Sequence, residues 1–201
     1  MNNNIQYWIK RYKDKGGIRT VGRQNWSQKD YVNFVATTEP ILKKIIIENC
    51  KKTSILDFGC GIGRWISLLE SMFNKYYGVD IVEFAVNQCK KKFNNSNIML
   101  MEGYEIPLKK NSLDNIWTYV TLQHVVDLKL LNNYVYQFYH LLNSCGICII
   151  TENSSGNRTN NYMSFRPPNI YMDIFKNNGF ELVNRYDKIK KHTTLVFKKI
   201  K

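Results

Sequence analysis

Three glycines at alternate positions follow a short apolar run, and together they could bring a ligand against the backbone. Residues 53–63 read Thr-Ser-Ile-Leu-Asp-Phe-Gly-Cys-Gly-Ile-Gly, with glycines at positions 59, 61 and 63. Glycine reaches positive φ angles without strain, and the free N–H groups at the start of a helix attract polar or anionic groups. The pattern therefore predicts a tight, ligand-binding turn between a buried strand and a helix.

Two aspartates flank this turn at positions that suit a nucleoside cofactor. Asp57 stands two residues before the first glycine, and Asp80 ends the next apolar run, residues 76–79. A carboxylate about twenty residues after a glycine-rich loop binds ribose hydroxyls in nucleotide-binding folds. The glycine spacing alone matches neither the dinucleotide fingerprint nor the phosphate-binding loop. The two aspartates therefore indicate a nucleoside cofactor more strongly than the glycines do.

With these residues the chain resembles the class I, Rossmann-like S-adenosylmethionine-dependent methyltransferases of the small, single-domain type. The resemblance implies S-adenosyl-L-methionine as cofactor and S-adenosyl-L-homocysteine as product. In that family the acid before the glycines and the glycine backbone hold the methionine part, and the acid after the second strand binds the ribose. The implied cofactor-binding residues are Asp57, Gly59, Cys60, Gly61, Gly63, Asp80, Ile81, Glu102, Gly103, Tyr104 and Thr121.

The adenine residues in that set follow from the same resemblance. In the family, the third strand often ends in an acid and a small residue, followed by Leu-Pro-Phe. Counting back from Pro107 puts Glu102 and Gly103 in those positions, so they and Tyr104 are implied to lie along the adenine. Glutamate replaces the usual aspartate and reaches one methylene further.

The end of the predicted fourth strand, residues 115–120, is the implied reaction zone. Ligands on an open parallel sheet bind beyond the carboxyl ends of its strands, so Thr121, Gln123 and His124 fall beside the transferable methyl group. His124 matches a histidine that recurs there in the family, and an ordinary pKa near 6.5 would suit a general base. A role for His124 in capping or packing the next helix is the alternative.

Two irregular segments, residues 15–27 and 152–168, are predicted to close over the site. Arginine pairs with carboxylate or phosphate as a planar fork, and tryptophan can cover an aromatic or sulfonium face. Either segment could instead be a plain connector. The candidate substrate contacts are Arg19, Arg23, Trp26, Gln123, Asn153, Arg158, Tyr162 and Arg166.

The elements that position these residues predict an α/β fold, a three-layer doubly wound seven-stranded sheet that is mostly parallel with a C-terminal antiparallel β-hairpin. Helices are predicted over 5–14, 27–49, 64–73, 82–93, 127–142 and 170–177, and Pro40 should kink or divide the second. Strands are predicted over 55–58, 76–80, 97–101, 115–120, 145–151, 180–187 and 193–199. We expect one methyltransferase domain over 1–201, with N-terminal helices and a lid over 1–50 and a Rossmann-like core over 51–201.

Composition bears on the class of binding partner and on the cellular compartment. Twenty-nine Lys and Arg residues against 16 Asp and Glu give a net charge of +13, which favours anionic partners or is simply a solvated, lysine-rich surface. Five scattered cysteines indicate a reducing interior, and Cys145 and Cys148 form a C-x-x-C with no second pair, so we expect packing and no metal site. No leader or long apolar run is found, so a cytoplasmic protein without a membrane span is expected.

The acceptor is the least determined part of the function. The sequence shows no appended RNA-binding domain, and the fourth strand does not end in an Asn-Pro-Pro-Tyr-like tetrapeptide for amino-group methylation, which favours O-methylation of a small molecule. The positive charge, with Arg19, Arg23, Arg158 and Arg166, suggests that this acceptor is anionic. Phosphorylated or nucleotide-linked molecules are in that class, including surface-glycan precursors. The alternatives are methylation of RNA or a nucleic-acid component, and a non-catalytic cofactor- or protein-binding module; the oligomeric state is open. The chain's opening resembles that of some small methyltransferases for surface glycans or metabolites at Trp8, Arg11, Tyr12, Gly16 and Gly17.

Overall fold

The structure, a computed structural model, describes residues 3–15, 26–154, 159–189 and 191–200. Its helices are α1 (Asn3–Lys15), α2 (Gln28–Asn49), α3 (Ile66–Met72), α4 (Glu83–Lys92), α5 (Leu128–Leu141) and α6 (Pro168–Asn177), with a 3₁₀ turn at Leu122–His124. Its strands are β1 (Ser54–Phe58), β2 (Lys75–Asp80), β3 (Asn97–Leu100), β4 (Leu113–Tyr119), β5 (Leu142–Asn153), β6 (Thr159–Asn160), β7 (Met163–Ser164), β8 (Phe180–Ile189) and β9 (His192–Lys199).

Seven of these strands form one sheet in the order β3-β2-β1-β4-β5-β9-β8. The first five strands pair in parallel, whereas β9 runs antiparallel to both β5 and β8. The predicted fold class, including the C-terminal antiparallel hairpin, is confirmed. The chain builds outward from β1 in one direction and then resumes at β4 on the other side. The order therefore reverses between β1 and β4, where open α/β sheets bind their ligands.

Helices cover both faces of the sheet, which explains why β1 is buried at every position. On one face, Leu56 and Phe58 pack in a cluster with α5 and α6. On the other face, Ile55 packs in a cluster with α2, α3 and α4. The two clusters hold β1 rigidly, and β1 delivers Asp57 and the glycine turn to the carboxyl end of the sheet.

Two helix boundaries refine the predictions. Ser27 caps α2 as expected: its Oγ accepts from the Asp30 N–H at 3.1 Å, and the Asp30 carboxylate accepts from the Ser27 N–H at 2.9 Å. Pro40 lies inside α2, which continues through it and is not divided. α3 begins at Ile66 rather than at the predicted residue 64, because the turn after β1 extends through Trp65.

Within the described ranges, no helix has both the length and the apolar character needed to cross a bilayer.

Candidate active site

A cavity of about 870 Å³ opens beyond the carboxyl ends of β1, β2 and β4. This volume lies within the range typical of small-molecule sites, about 300–1,000 Å³. Most of the predicted site residues that the structure describes line it: Trp26, Asp57, Gly59, Cys60, Gly61, Asp80, Ile81, Tyr104, Thr121, Gln123, His124, Asn153 and Tyr162. Residues that are distant in the chain thus meet where the strand order reverses.

The glycine turn is held by the neighbouring strand. The N–H groups of Gly59 and Cys60 both donate to the carbonyl oxygen of Val79, at 2.8 and 3.0 Å. Gly59 has a φ of +78°, and a Cβ added there would overlap the Thr121 side chain. Only glycine allows this close approach between the turn after β1 and the end of β4.

Gly63 has a different role from the one predicted. Its φ is +83°, and an added Cβ would collide with the side chains of Phe93, Ile66 and Cys89. It lies outside the lining of the cavity, so the structure gives it a packing role, and its contact with the cofactor stays a prediction. The motif indicates that glycine is needed at position 63. It does not indicate whether a ligand or a neighbouring helix occupies the space that a side chain would fill.

Asp80 is fixed at the end of β2 by two backbone donors. Its Oδ2 accepts from the Gly61 N–H and its Oδ1 from the Val82 N–H, both at 2.9 Å. Burial raises the pKa of this carboxyl above its ordinary value, while the backbone hydrogen bonds act in the opposite direction. The carboxylate thus joins the glycine turn to the start of α4, and it remains on the cavity wall with lone pairs that suit ribose hydroxyls.

Asp57 lies deeper, with 3% of its surface exposed. Its Oδ2 accepts a hydrogen bond from the Tyr76 hydroxyl at 3.1 Å. Burial raises the pKa of Asp57 to about 7; the Tyr76 hydrogen bond lowers it and the negative charge of Asp80 raises it further. Asp57 is therefore a carboxyl whose charge costs folding energy and is available for a cationic ligand group.

Replacing Asp57 by asparagine is expected to weaken the pH dependence of stability in the ligand-free protein. The folded-state pKa of about 7 exceeds the ordinary aspartate value of 3.8, so folding retains a proton on Asp57. That stabilisation is fully present below the unfolded pKa and is lost as the pH rises through about 7. We expect the free energy of urea unfolding to differ less between a pH below 3.8 and a pH above 7 in Asp57→Asn than in the wild-type protein. Equal differences in the two proteins would contradict this.

One side of the cavity offers an apolar surface for a flat ring. Met101, Tyr104, Leu130 and Tyr134 line it together. Gln137 supports this wall, because its Nε2 donates to the Tyr104 carbonyl oxygen at 2.9 Å. These residues fit the adenine site that the sequence placed here.

Two residues assigned to that adenine site lie elsewhere. Glu102 and Gly103 are exposed and lie outside the cavity lining. Gly103 has a φ of +66° with open space around its Cα, so it serves the turn after β3. The adenine contacts of these two residues stay a prediction, and Met101, next to them in the chain, lines the cavity instead.

His124 lies in the turn of residues 121–126 and is half-buried on the cavity wall. Its Nδ1 is 3.0 Å from the Tyr162 carbonyl oxygen, which can only accept, so Nδ1 carries the proton. Nε2 then has the lone pair and accepts from the Gln123 amide at 3.3 Å. Burial lowers the pKa of His124 to about 4, helped by the charge of Arg11, whereas the sequence argument assumed the ordinary value. The ring is therefore neutral near pH 7.

Gln123 connects His124 to the end of β5. It is 4% exposed, and its Oε1 accepts from the Asn153 N–H at 3.2 Å. Its Nε2 lies 3.3 Å from His124 Nε2 and 3.7 Å from the Met163 sulfur. Both ends of the side-chain amide are thus engaged within the protein, which indicates that Gln123 orients His124.

Helix α1 forms a roof over the reaction zone, and its side chains were not predicted as site residues. The Trp8 ring meets the His124 ring edge to face at 4.7 Å, and Tyr7 stacks on Tyr162 with ring centres 3.9 Å apart. Arg11 donates to the Tyr7 hydroxyl at 2.8 Å, and all three α1 residues line the cavity. The helical spacing of large side chains in residues 5–14 predicted the helix, and nothing in it showed which surface the helix would cover.

The other end of the cavity is also aromatic, and of its residues only Trp26 was predicted. Trp26 packs against Phe34 at 4.9 Å, and Trp65 meets Tyr119 at 5.2 Å. The Arg64 guanidinium lies 5.5 Å from the centre of the Phe34 ring, directly after the glycine turn. Arg64 is therefore the cation nearest in sequence to the predicted methionine site.

Arg166 does not serve the substrate as predicted. It is 5% exposed, lies outside the lining of the main cavity, and uses its guanidinium on backbone carbonyl groups of residues 122, 125 and 126. The prediction rested on the place of Arg166 in an irregular segment after a strand of the sheet, whereas its side chain is buried against the turn of residues 121–126. Arg19, Arg23 and Arg158 lie outside the described residues.

Comparison with known proteins agrees with this geometry. Residues 56–150 match a family model described as a methyltransferase domain. Among curated proteins, no sequence matches this chain.

Several solved structures share the fold. A Pyrococcus horikoshii protein has 17% identity and a TM-score of 0.77, covering 94% of this chain and 98% of its own. An S-adenosylmethionine-dependent methyltransferase from Clostridium acetobutylicum has 14% identity and a TM-score of 0.70, covering 98% and 99%. A third, from Methanosarcina mazei, has 13% identity and a TM-score of 0.67, covering 78% and 97%. At these identities, the likeness establishes the fold.

Proposed function

We propose that this chain, whose residues 56–150 match a methyltransferase domain, is a class I S-adenosylmethionine-dependent methyltransferase that methylates an oxygen atom of a small, anionic acceptor. The observation that carries the proposal is the roof of α1, where Trp8 contacts His124 and Tyr7 stacks on Tyr162. A roof directly over the reaction zone favours an acceptor small enough to fit beneath it. Phosphorylated and nucleotide-linked molecules, including surface-glycan precursors, belong to this class.

The residues present fit the cofactor. Asp80 would hold the ribose hydroxyls, Met101 and Tyr104 would flank the adenine, and the glycine turn would pass along the methionine part. Arg64 would pair with the carboxylate of that part, since it follows the turn directly and lines the same cavity. When bound, S-adenosylmethionine supplies an electrophilic methyl group on a sulfonium sulfur, so little covalent help is needed from the protein.

His124 would orient the acceptor hydroxyl and take its proton. Nε2 is the ring atom with a lone pair, and in this structure the Gln123 amide donates to it. The acceptor hydroxyl would therefore displace that amide, while the Tyr162 carbonyl group holds the ring through Nδ1. The low pKa of about 4 makes His124 a weak base that stays uncharged near neutral pH. Alignment of the hydroxyl is therefore its larger contribution, with the proton passing on to water.

Arg11 supports the anionic character of the acceptor. It lies on the same roof as Trp8, on the cavity wall, and its charge is felt at His124. A phosphate or carboxylate beneath the roof would receive a charge-assisted hydrogen bond from the guanidinium. Asp57 and Asp80 also line the cavity, but they are assigned to the cofactor, so Arg11 is the charged side chain assigned to the acceptor.

The acceptor class is tested by methyl transfer from labelled S-adenosylmethionine to a panel of sugar phosphates, nucleoside diphosphate sugars and small carboxylic acids, with total RNA in parallel. We expect a member of the anionic panel to be methylated. Arg11→Met should raise the KM for that molecule roughly ten- to a hundredfold, the usual effect of losing a hydrogen bond to a charged group, with kcat nearly unchanged. Lys10→Met is the matched control, because Lys10 is exposed on the same helix.

Two results would overturn the proposal. Methylation of RNA with a silent small-molecule panel would replace the acceptor class. Failure of the wild-type protein to bind S-adenosylhomocysteine in calorimetry would remove the assigned cofactor site.

The expected location in a reducing interior is supported by the five cysteines, which are all free thiols.

A further inference from the structure

Glu152, near the end of β5, is a buried carboxylate that the proposed reaction does not use directly. It is 3% exposed and lies behind the turn of residues 121–126, which carries His124. Its Oε1 accepts from the N–H groups of Thr121 at 3.1 Å and Leu122 at 2.8 Å, and its Oε2 accepts from the Gln123 N–H at 3.0 Å. Three consecutive backbone donors therefore converge on one side chain.

Arg166 acts on the same turn from its other end. Its Nη1 donates to the Leu122 carbonyl oxygen at 3.3 Å. Its Nη2 donates to the carbonyl oxygens of Val125 at 2.7 Å and Val126 at 2.8 Å. The carboxylate thus binds the N–H groups of the turn and the guanidinium binds its carbonyl groups, which matches the direction of the peptide dipoles.

Both charges are costly to bury, so their placement needs a reason. A buried charge is tolerated only when hydrogen bonds satisfy it, and losing a partner leaves a large penalty. Among the residues that the structure describes, no ion pair joins Glu152 to Arg166, and each is satisfied largely by the turn. Burial raises the pKa of Glu152 to about 7, against the effect of its hydrogen bonds.

A strained residue directly precedes the turn. Val120 has a φ of +57°, a conformation that β-branched residues rarely adopt. Such backbone persists only where its surroundings hold it, and it is typical of functional sites. The Val120 N–H donates to the Thr151 carbonyl oxygen at 2.7 Å, and the next N–H, of Thr121, is bound by Glu152.

We propose that Glu152 and Arg166 are positioning residues that clamp the turn of residues 121–126. The clamp holds the Thr121 side chain beside Gly59 on the cofactor side, and it holds the His124 ring on the acceptor side. The inference rests on the proposed function, because that function gives His124 its task. It adds two buried charges to the residues on which methyl transfer depends.

Glu152→Gln tests the clamp with little change in size. The glutamine carbonyl can replace Oε1, but its NH₂ group would face the Gln123 N–H, so that one hydrogen bond is lost. The readout is the ring ¹⁵N spectrum of histidine-labelled protein, which contains three histidines. In the wild type we expect His124 with the proton on Nδ1 and neutral well below pH 6.5. In Glu152→Gln we expect both tautomers and at least a tenfold rise in proton affinity, because water gains access to the ring.

Arg166 supplies the second variant and the conservative rescue. Arg166→Met should change the His124 spectrum in the same direction, whereas Arg166→Lys, which keeps a cation able to reach a carbonyl group, should restore it in part. Phe197→Leu is the control for general destabilisation, because Phe197 is buried in β9 and stacks on Phe175 at 4.1 Å. It should lower stability and leave the His124 signals unchanged.

The clamp is refuted if Glu152→Gln and Arg166→Met both leave the His124 tautomer and titration as in the wild type. It is also refuted if Phe197→Leu alters them equally, since that would indicate a merely structural effect. These spectra need no substrate, so they are independent of the acceptor assay. Wild-type protein that binds no S-adenosylhomocysteine would remove the proposed function, whereas unchanged spectra would remove only the clamp.

Discussion

Replacing Gly59 by alanine should destabilise the protein by about 2–5 kcal/mol and abolish cofactor binding. A side chain at positive φ costs about 1–2 kcal/mol. The added Cβ would also overlap the Thr121 side chain, and overpacking typically costs about 1–3 kcal/mol more. The strain should push the glycine turn away from the end of β4. Because Gly59 and Thr121 both line the cavity, this movement would distort the cofactor site. Urea unfolding and titration with S-adenosylhomocysteine measure the two effects.

Gly103→Ala is the matched control for the backbone term. Gly103 has a φ of +66°, close to that of Gly59, but no heavy atom would lie within 4 Å of an added Cβ. We expect only the conformational cost, about 1–2 kcal/mol, and a nearly unchanged cofactor affinity. If the two alanine variants proved equally stable, the contact with Thr121 would have no role.

A double variant isolates that contact further. Thr121→Ala removes the two atoms that lie nearest the added Cβ, so it should recover part of the stability lost in Gly59→Ala. Coupled residues in contact give interaction energies of about 0.5–3 kcal/mol in such cycles. Additive losses would show that the two residues do not interact as the structure indicates.

The fold and the cofactor side of the site could be predicted because their signals are local. Apolar runs fixed the order of strands and helices, and the order of a doubly wound sheet brings Asp57, Gly59 and Asp80 to one edge. Predicting the position of these residues required no knowledge of a contact with a distant part of the chain. The predicted seven-stranded sheet and its antiparallel hairpin are confirmed for the same reason.

The acceptor side could not be predicted because its contacts join distant parts of the chain. Trp8 meets His124, and Glu152 binds the backbone of the 121–126 turn; no spacing rule reports these pairs. Arg166 shows the converse error, since its place in an irregular segment suggested a substrate contact, whereas packing buries it against the carbonyl groups of that turn. The ordinary pKa assumed for His124 failed similarly, because burial decides that value.

Asp80→Ala should weaken the binding of S-adenosylhomocysteine by about 1.5–3 kcal/mol, roughly ten- to a hundredfold in Kd, the usual value of a hydrogen bond to a charged group. The ribose hydroxyls would lose their acceptor, and the Gly61 and Val82 N–H groups would lose theirs. Stability should change less than affinity, because the substitution also removes a carboxylate whose charge is disfavoured by burial. Calorimetry and urea unfolding of the same variant compare the two.

Asp127→Ala separates loss of a site from loss of a cap. Asp127 is also a carboxylate that accepts from the backbone, in its case from the Lys129 N–H at 2.8 Å at the start of α5. Losing such a cap costs about 0.5–2 kcal/mol of stability. Asp127 lies outside the lining of the cavity, so cofactor affinity should stay at the wild-type value. Equal affinity losses in the two alanine variants would indicate general loosening of the fold.

Asp80→Asn then distinguishes the two tasks of the carboxylate. The amide keeps one acceptor oxygen and nearly the same volume, so one of the two backbone donors remains bound and the glycine turn should stay in place. Its NH₂ group cannot accept from a ribose hydroxyl. Affinity should therefore fall close to that of Asp80→Ala while stability stays nearer the wild type. If affinity instead followed stability across both variants, Asp80 would act by holding the turn rather than by binding the ribose.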